Sequence, residues 1–170
     1  MDPRHHDFDR FVADSTDGLL RTAYLIVYDL GEAEDIVQET LFKVARRWPK
    51  VRRMDHPLAY ARRILVNLAL DGSVRRSRAR AELATESDGA VTHDPSEAFD
   101  TRNELVGALG TLPPRQRAVL VLRYFLDLPE AEVAAALQCS LGTVKSTAAR
   151  GLARLEQTLR PTNDTRSITT

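Results

Sequence analysis

Four histidines, one cysteine and a set of carboxylates are the groups through which this 170-residue chain could bind a metal or catalyse a reaction. His5, His6, His56 and His93 include no pair one helical turn apart, and Cys139 has no second thiol with which to share a metal or close an internal disulfide. Asp35 and Glu39 stand one helical turn apart, but no pocket partner for a catalytic pair is visible. No glycine-rich phosphate loop follows a strand, because no alternating strand pattern persists anywhere. The expectation is therefore a protein that is not an enzyme and that holds no metal and no cofactor.

The chemistry that remains is recognition of a polyanion. Leu128 to Leu155 reads as two helices joined by a short turn at Gln138 to Ser140, the spacing of a helix-turn-helix. Pro129 starts the first helix, Ala134 is small enough for close approach, and Ser140 can cap the second helix. Val144 and Leu152 are expected to face the core, which leaves Thr143, Lys145, Ser146, Ala149 and Arg150 available to DNA. Lys145 and Arg150 suit phosphate or guanine, Ser146 offers a neutral hydrogen bond, and Ala149 gives an apolar contact or room for approach. A helical hairpin with a solvated basic face is the plainer reading of the same spacing.

Those residues need helices to hold them, and the pattern supplies little else. Ile36, Val37, Leu41, Val44, Ala45 and Trp48 recur at helical spacing and predict a helix ending before Pro49. A second helix begins near Pro57 with Leu58, Ala61, Ile64, Leu65 and Leu68 as its buried stripe, and puts Tyr60, Arg63, Asn67 and Asp71 on another face. Upstream, Phe8 to Val27 predict a helix or a pair broken at Asp17 and Gly18. Helical spacing stops between Arg80 and Asp100 and resumes at Leu105, Ala108 and Leu109, then at Ala118, Val119, Leu122 and Phe125. The fold class is all-α: two small helical domains, residues 1–78 and 101–160, joined by a flexible acidic linker at 79–100, with a disordered tail at 161–170.

Equal totals of 24 basic and 24 acidic residues hide a segregation along the chain. Residues 51–80 carry eight basic groups against two acidic ones, whereas 81–100 carry six acidic groups and no basic one. A basic block of that density suits a polyanion, since each Arg that meets a phosphate releases a counterion. The longest run without a charge, Val133 to Val144, is twelve residues, and a membrane span needs roughly 20 apolar ones. The start of the chain has no apolar core of a signal peptide. The expectation is a soluble cytoplasmic protein with no membrane insertion.

Several runs together resemble a known family. Leu112-Pro-Pro-Arg-Gln-Arg-Ala-Val-Leu, Arg123-Tyr-Phe and Gly142-Thr-Val-Lys-Ser look like the promoter-binding domain 4 of sigma-70 family RNA polymerase sigma factors. Ala33-Glu-Asp-Ile-Val-Gln-Glu-Thr-Leu-Phe resembles the polymerase-binding helix of domain 2, and Tyr60 to Asp71 its promoter-melting segment. Both in this order, with an acidic linker between, resemble the extracytoplasmic-function (ECF) group, and within it the actinobacterial SigE-like subgroup. The resemblance implies a subunit that binds core RNA polymerase, directs it to promoter DNA and helps to melt the minus-ten region. It places Asp35, Gln38 and Glu39 against the polymerase clamp helices. It places Tyr60, Arg62, Arg63 and Asn67 on the melted minus-ten strand, with Gly72 to Arg80 as the rest of a base-reading loop. It sends Thr143, Lys145, Ser146, Ala149 and Arg150 into the minus-thirty-five major groove, and the linker along the RNA exit path as a nucleic-acid mimic. It further implies a monomer when free and an anti-sigma factor as partner. Thr147 and Gln138 depart from the Arg and Gly common at those positions. The competing reading is a free-standing helix-turn-helix regulator that binds duplex DNA without joining polymerase; it leaves the Asp35 to Phe42 helix and the Tyr60 to Asn67 face unexplained.

Overall fold

The computed structural model describes residues 3–84 and 101–160, and among these every regular element is helical. Helix α1 (Pro3–Val27) passes unbroken through Asp17 and Gly18. Ser15, Leu19, Thr22, Ala23 and Ile26 form a buried row on both sides of the glycine, and the Thr22 hydroxyl donates to the Gly18 carbonyl at 2.7 Å. Packing along that row outweighs the roughly 1 kcal/mol that a mid-helix glycine costs. Tyr28 then takes a left-handed conformation (φ 60°), and Asp29 caps α2 (Leu30–Arg46) by accepting the Glu32 N–H at 2.8 Å. Glu32 in the first turn of α2, and Lys43 and Arg46 in its last, suit the helix dipole.

A short helix α3 (Trp48–Val51) takes Pro49 into its first turn, where no N–H is needed. It sets the Trp48 ring 5.2 Å from both Phe8 and Phe11. Helix α4 (Pro57–Ala84) differs from expectation in two ways. Its buried face is Ala61, Leu65, Val66 and Ala69, while Leu58 is 39% exposed, because α4 is packed by α1 and α2 on one side and by later helices on the other. It also continues through Gly72 to Arg80, where a base-reading loop was expected. Arginines are good helix formers, and Arg76 is tied to Glu32 of α2 by an ion pair. Gly72 serves that junction: a Cβ there would stand 3.1 Å from Glu32 Oε1. The first six residues of the expected linker, 79–84, are likewise helical; its remainder at 85–100 and the expected tail at 161–170 lie outside the described residues.

The second half comprises α5 (Thr101–Gly110), α6 (Pro114–Leu120), a π-helical turn at Val121–Phe125, α7 (Glu130–Leu137) and α8 (Leu141–Leu159). In the π turn the Leu126 N–H donates to the Val121 carbonyl five residues back, at 3.0 Å. The extra residue in that turn breaks the 3.6-residue period, so Phe125, expected on the buried stripe, is 50% exposed. One apolar cluster runs through both halves, from Leu19 and Val44 through Leu65 to Leu122 and Val144. Among the described residues no helix is long and apolar enough to cross a membrane.

Candidate nucleic-acid interface

The helix-turn-helix is built by α7 and α8. Helix α7 stops because Gln138 is left-handed (φ 52°), which lets the Cys139 N–H return to the Ala134 carbonyl at 3.0 Å. Cys139 is half-buried in this turn. Ser140 starts α8: its hydroxyl accepts the Thr143 N–H at 3.1 Å and lies 2.9 Å from the Thr143 hydroxyl. The inner seam of α8 is Val144, Thr147, Ala148 and Gly151. Gly151 sits against Leu120, where a Cβ would come within 3.1 Å, so the helices approach closely. Leu152, expected on this seam, falls about 80° from Val144 around the helix and is 41% exposed. The small Thr147 is buried, which explains why an arginine is absent there.

Opposite that seam, Lys145, Ser146, Ala149 and Arg150 are exposed and Thr143 half-buried. The Arg150 Nε donates to the Ser146 carbonyl at 3.3 Å, and Lys145 Nζ lies 3.8 Å from Glu130 of α7. Both side chains are thus loosely held along one exposed ridge. Helix α8 packs on α5, α6 and α7, and a ridge of this shape and charge can enter a major groove.

The second set divides. Tyr60 and Asn67 lie two turns apart on one face of α4, both half-buried, with Arg63 exposed between them. Arg62 is not grouped with that pair; it is half-buried in the cleft between α4 and α7. Burial lowers its pKa, and the nearby Glu132 charge offsets part of that shift. Spacing alone missed what stands beside Tyr60. The end of α2 brings Lys43, Arg46 and Arg47 to it, making a groove of about 460 Å³ closed by Ile64. Arg47 Nη1 donates to the Tyr60 hydroxyl at 3.4 Å. An aromatic ring walled by three cations can stack a base and hold its phosphates.

On α2 itself, Asp35, Gln38 and Glu39 are exposed on the face opposite Ile36, Val37, Thr40 and Val44. Glu39 pairs with Lys43 at 3.5 Å. Phe42, absent from the candidate set, continues this face one turn beyond Gln38 and Glu39, 58% exposed, with the Arg46 guanidinium 5.9 Å from its ring centre. Its apolarity in the midst of a charged face was the signal available in the sequence.

Comparison with known proteins converges on one family. Residues 11–80 match Sigma-70 region 2 and residues 102–155 match Sigma-70, region 4. An RNA polymerase sigma-E factor of Streptomyces avermitilis is 37% identical over 154 residues, covering 90% of this chain and 85% of that one. The ECF RNA polymerase sigma factor SigE of Mycolicibacterium smegmatis is 34% identical over 158 residues, covering 89% and 61%. Among solved structures, the sigma factor RpoE in complex with the anti-sigma factor NepR, from Bartonella quintana, gives a TM-score of 0.69 at 25% identity, covering 90% of this chain and 96% of that one. CnrH in complex with the cytosolic domain of CnrY gives 0.60 at 25% identity, covering 90% and 87%. With both regions matched in order and over a third of aligned positions shared with a relative covered over 85% of its length, the chain belongs to the sigma-70 family, as an ECF-group sigma factor that takes core RNA polymerase to promoters.

Proposed function

We propose that this sigma factor divides its work among three surfaces. The α2 face carrying Asp35, Gln38 and Glu39, continued by Phe42 in the next turn, docks on core polymerase through polar contacts beside one aromatic anchor. The α4 face stacks an extruded minus-ten base on Tyr60 and reads its edge with Asn67, while Arg62 and Arg63 hold the strand, joined by Lys43, Arg46 and Arg47. The α8 ridge of Thr143, Lys145, Ser146, Ala149 and Arg150 reads the minus-thirty-five major groove. Residues 1–78 then act as the melting domain and 101–160 as the duplex-reading domain. The protein works as a monomer in the cytoplasm, has no catalytic activity of its own, and is held in reserve by an anti-sigma factor, as the partners of its structural relatives support.

The observation that carries this reading is the cation-walled groove at Tyr60, since a regulator that binds only duplex DNA has no use for a base-stacking platform away from its recognition helix. Run-off transcription with core polymerase on fragmented genomic DNA tests it. Specific initiation that requires both proteins is expected; tight operator binding without initiation would sink it. Permanganate footprinting refines the test: Asn67→Ala should lose strand opening while keeping duplex affinity.

A further inference from the structure

A cavity of about 630 Å³ lies apart from all three of these surfaces, where the turn from α1 to α2, the second half of α4 and the start of α6 meet. That size admits a small metabolite. Three arginines line it, Arg76 of α4 with Arg115 and Arg117 of α6, together with two carboxylates, Asp29 and Glu32, at the start of α2.

The charges around it are not balanced. Arg117 is 7% exposed. Its Nη1 donates to the Ile26 carbonyl at 2.7 Å and its Nη2 to the Gly110 and Leu112 carbonyls at 2.9 Å, while its Nε is buried without a partner among the described residues. All three acceptors are neutral, so the cation loses hydration without gaining a counter-charge. Burial and the charge of Arg76 both push its pKa down. Neither carboxylate bonds it: Glu32 is paired with Arg76, and Asp29 spends Oδ1 on the Glu32 N–H as the cap of α2. Arg115 is exposed, and its hydrogen bond to the Leu137 carbonyl is long, at 3.5 Å.

Tyr28 also lines this cavity, in the left-handed conformation (φ 60°) that strains a bulky residue. Its ring is already taken up by Tyr24, at 5.9 Å, and by Gly110, where a Cβ would stand 3.0 Å from Cε1. The cavity therefore offers charge and hydrogen bonds rather than a stacking platform. A ligand with several phosphates would press some of them against Asp29 and Glu32, whereas one phosphate on an uncharged, hydroxyl-bearing body meets cations at one end and acceptors at the other.

We infer that this cavity binds a small organic phosphate: its phosphate lies between Arg115 and Arg76 and supplies through space the negative charge that Arg117 lacks, while hydroxyls of its body donate to Asp29. The occupant touches α2, α4 and α6 together, so it stabilises the folded chain by mass action.

Calorimetric titration of the full chain at constant ionic strength tests the site. The probe is ribose phosphate, carrying its phosphate on the primary alcohol, with inorganic phosphate and ribose as its separate parts. Ribose phosphate should bind and raise the melting temperature, inorganic phosphate should bind at least about tenfold more weakly, and ribose should give no signal. Arg115→Ala removes a charge-assisted hydrogen bond and should weaken ribose phosphate about tenfold. Asp29→Asn keeps a cap oxygen but loses the charge, so it should weaken ribose phosphate and tighten inorganic phosphate, opposite changes that no loss of fold produces. Lys43→Ala and Lys145→Ala, on the surfaces proposed for DNA, should leave ribose phosphate binding unchanged. No binding at millimolar concentration, or binding that survives Arg115→Ala intact, overturns the site. Equal affinity for inorganic phosphate and ribose phosphate, altered alike by Asp29→Asn, overturns the ligand class.

Discussion

At Tyr60 an aromatic ring, a hydroxyl bonded by Arg47 and a wall of cations stand together, and the contributions that the proposed role gives them can be separated. Tyr60→Ala should cost about 1–3 kcal/mol of single-strand affinity, the usual value of one stacked base. Tyr60→Phe keeps the ring and loses only a long, exposed hydrogen bond, so it should retain most of that affinity; fluorescence anisotropy with a labelled single strand checks both. On α8, Lys145→Ala or Arg150→Ala should weaken binding to duplex carrying the upstream promoter element. A lost bidentate guanine contact would remove about 1–3 kcal/mol of base discrimination, measurable by competition between matched and substituted duplexes. The α8 residues were legible because helical period and a turn assign their face locally. Lys43, Arg46 and Arg47 were not, because α2 and α4 must pack before those side chains reach Tyr60.

The turn between α7 and α8 and the outer face of α2 carry the predictions at the level of elements. Gln138 holds φ 52°, a conformation that costs a side-chain-bearing residue roughly 1–2 kcal/mol and a glycine almost nothing. Gln138→Gly should therefore raise stability by up to about 1 kcal/mol after the glycine's extra unfolded-state entropy is subtracted, seen as a higher urea midpoint at unchanged slope. On α2, Asp35→Arg combined with Gln38→Ala reverses a charge and removes a hydrogen-bonding group on an exposed face. The helical fold should survive, as circular dichroism would show, while affinity for core polymerase falls; unchanged affinity would assign this face to solvent. Helix starts and stops were largely readable, since Pro57 and Ser140 act on their own neighbours. The passage of α4 beyond Gly72 was not, because the family resemblance implied a loop there, and the helix is carried on by a contact that appears only when Glu32 of α2 is placed against Arg76.

In the whole molecule, Arg117 ties carbonyls of the second half together and bonds that half to the end of α1. Arg117→Ala would strand the Gly110 and Leu112 carbonyls inside the second half and release the Ile26 carbonyl across the interface. Orphaned buried acceptors cost about 1–3 kcal/mol each, partly offset by removing a poorly compensated cation. A net loss of roughly 2–4 kcal/mol is expected. Urea denaturation followed by circular dichroism checks it, and a loss within error of zero would show that water replaces the guanidinium at no cost.

The sequence alone determined the helical class, the helix-turn-helix and the residues available on its outer ridge. Each depends on periodicity, capping and turn chemistry acting over a few residues, and the family resemblance followed from the same local runs. Only the tertiary structure decided which helix faces are shared. Leu58 and Leu152 read as core by spacing, yet both are exposed, and Thr147 is buried, because a helix's buried arc is set by the partners packed on it as much as by its own hydrophobic stripe. The tertiary structure also placed Arg62 in the cleft with Glu132, and the Tyr28 ring on Gly110, over 80 residues away along the chain. Such pairings arise from the docking of whole elements, whose geometry no local pattern of residues encodes.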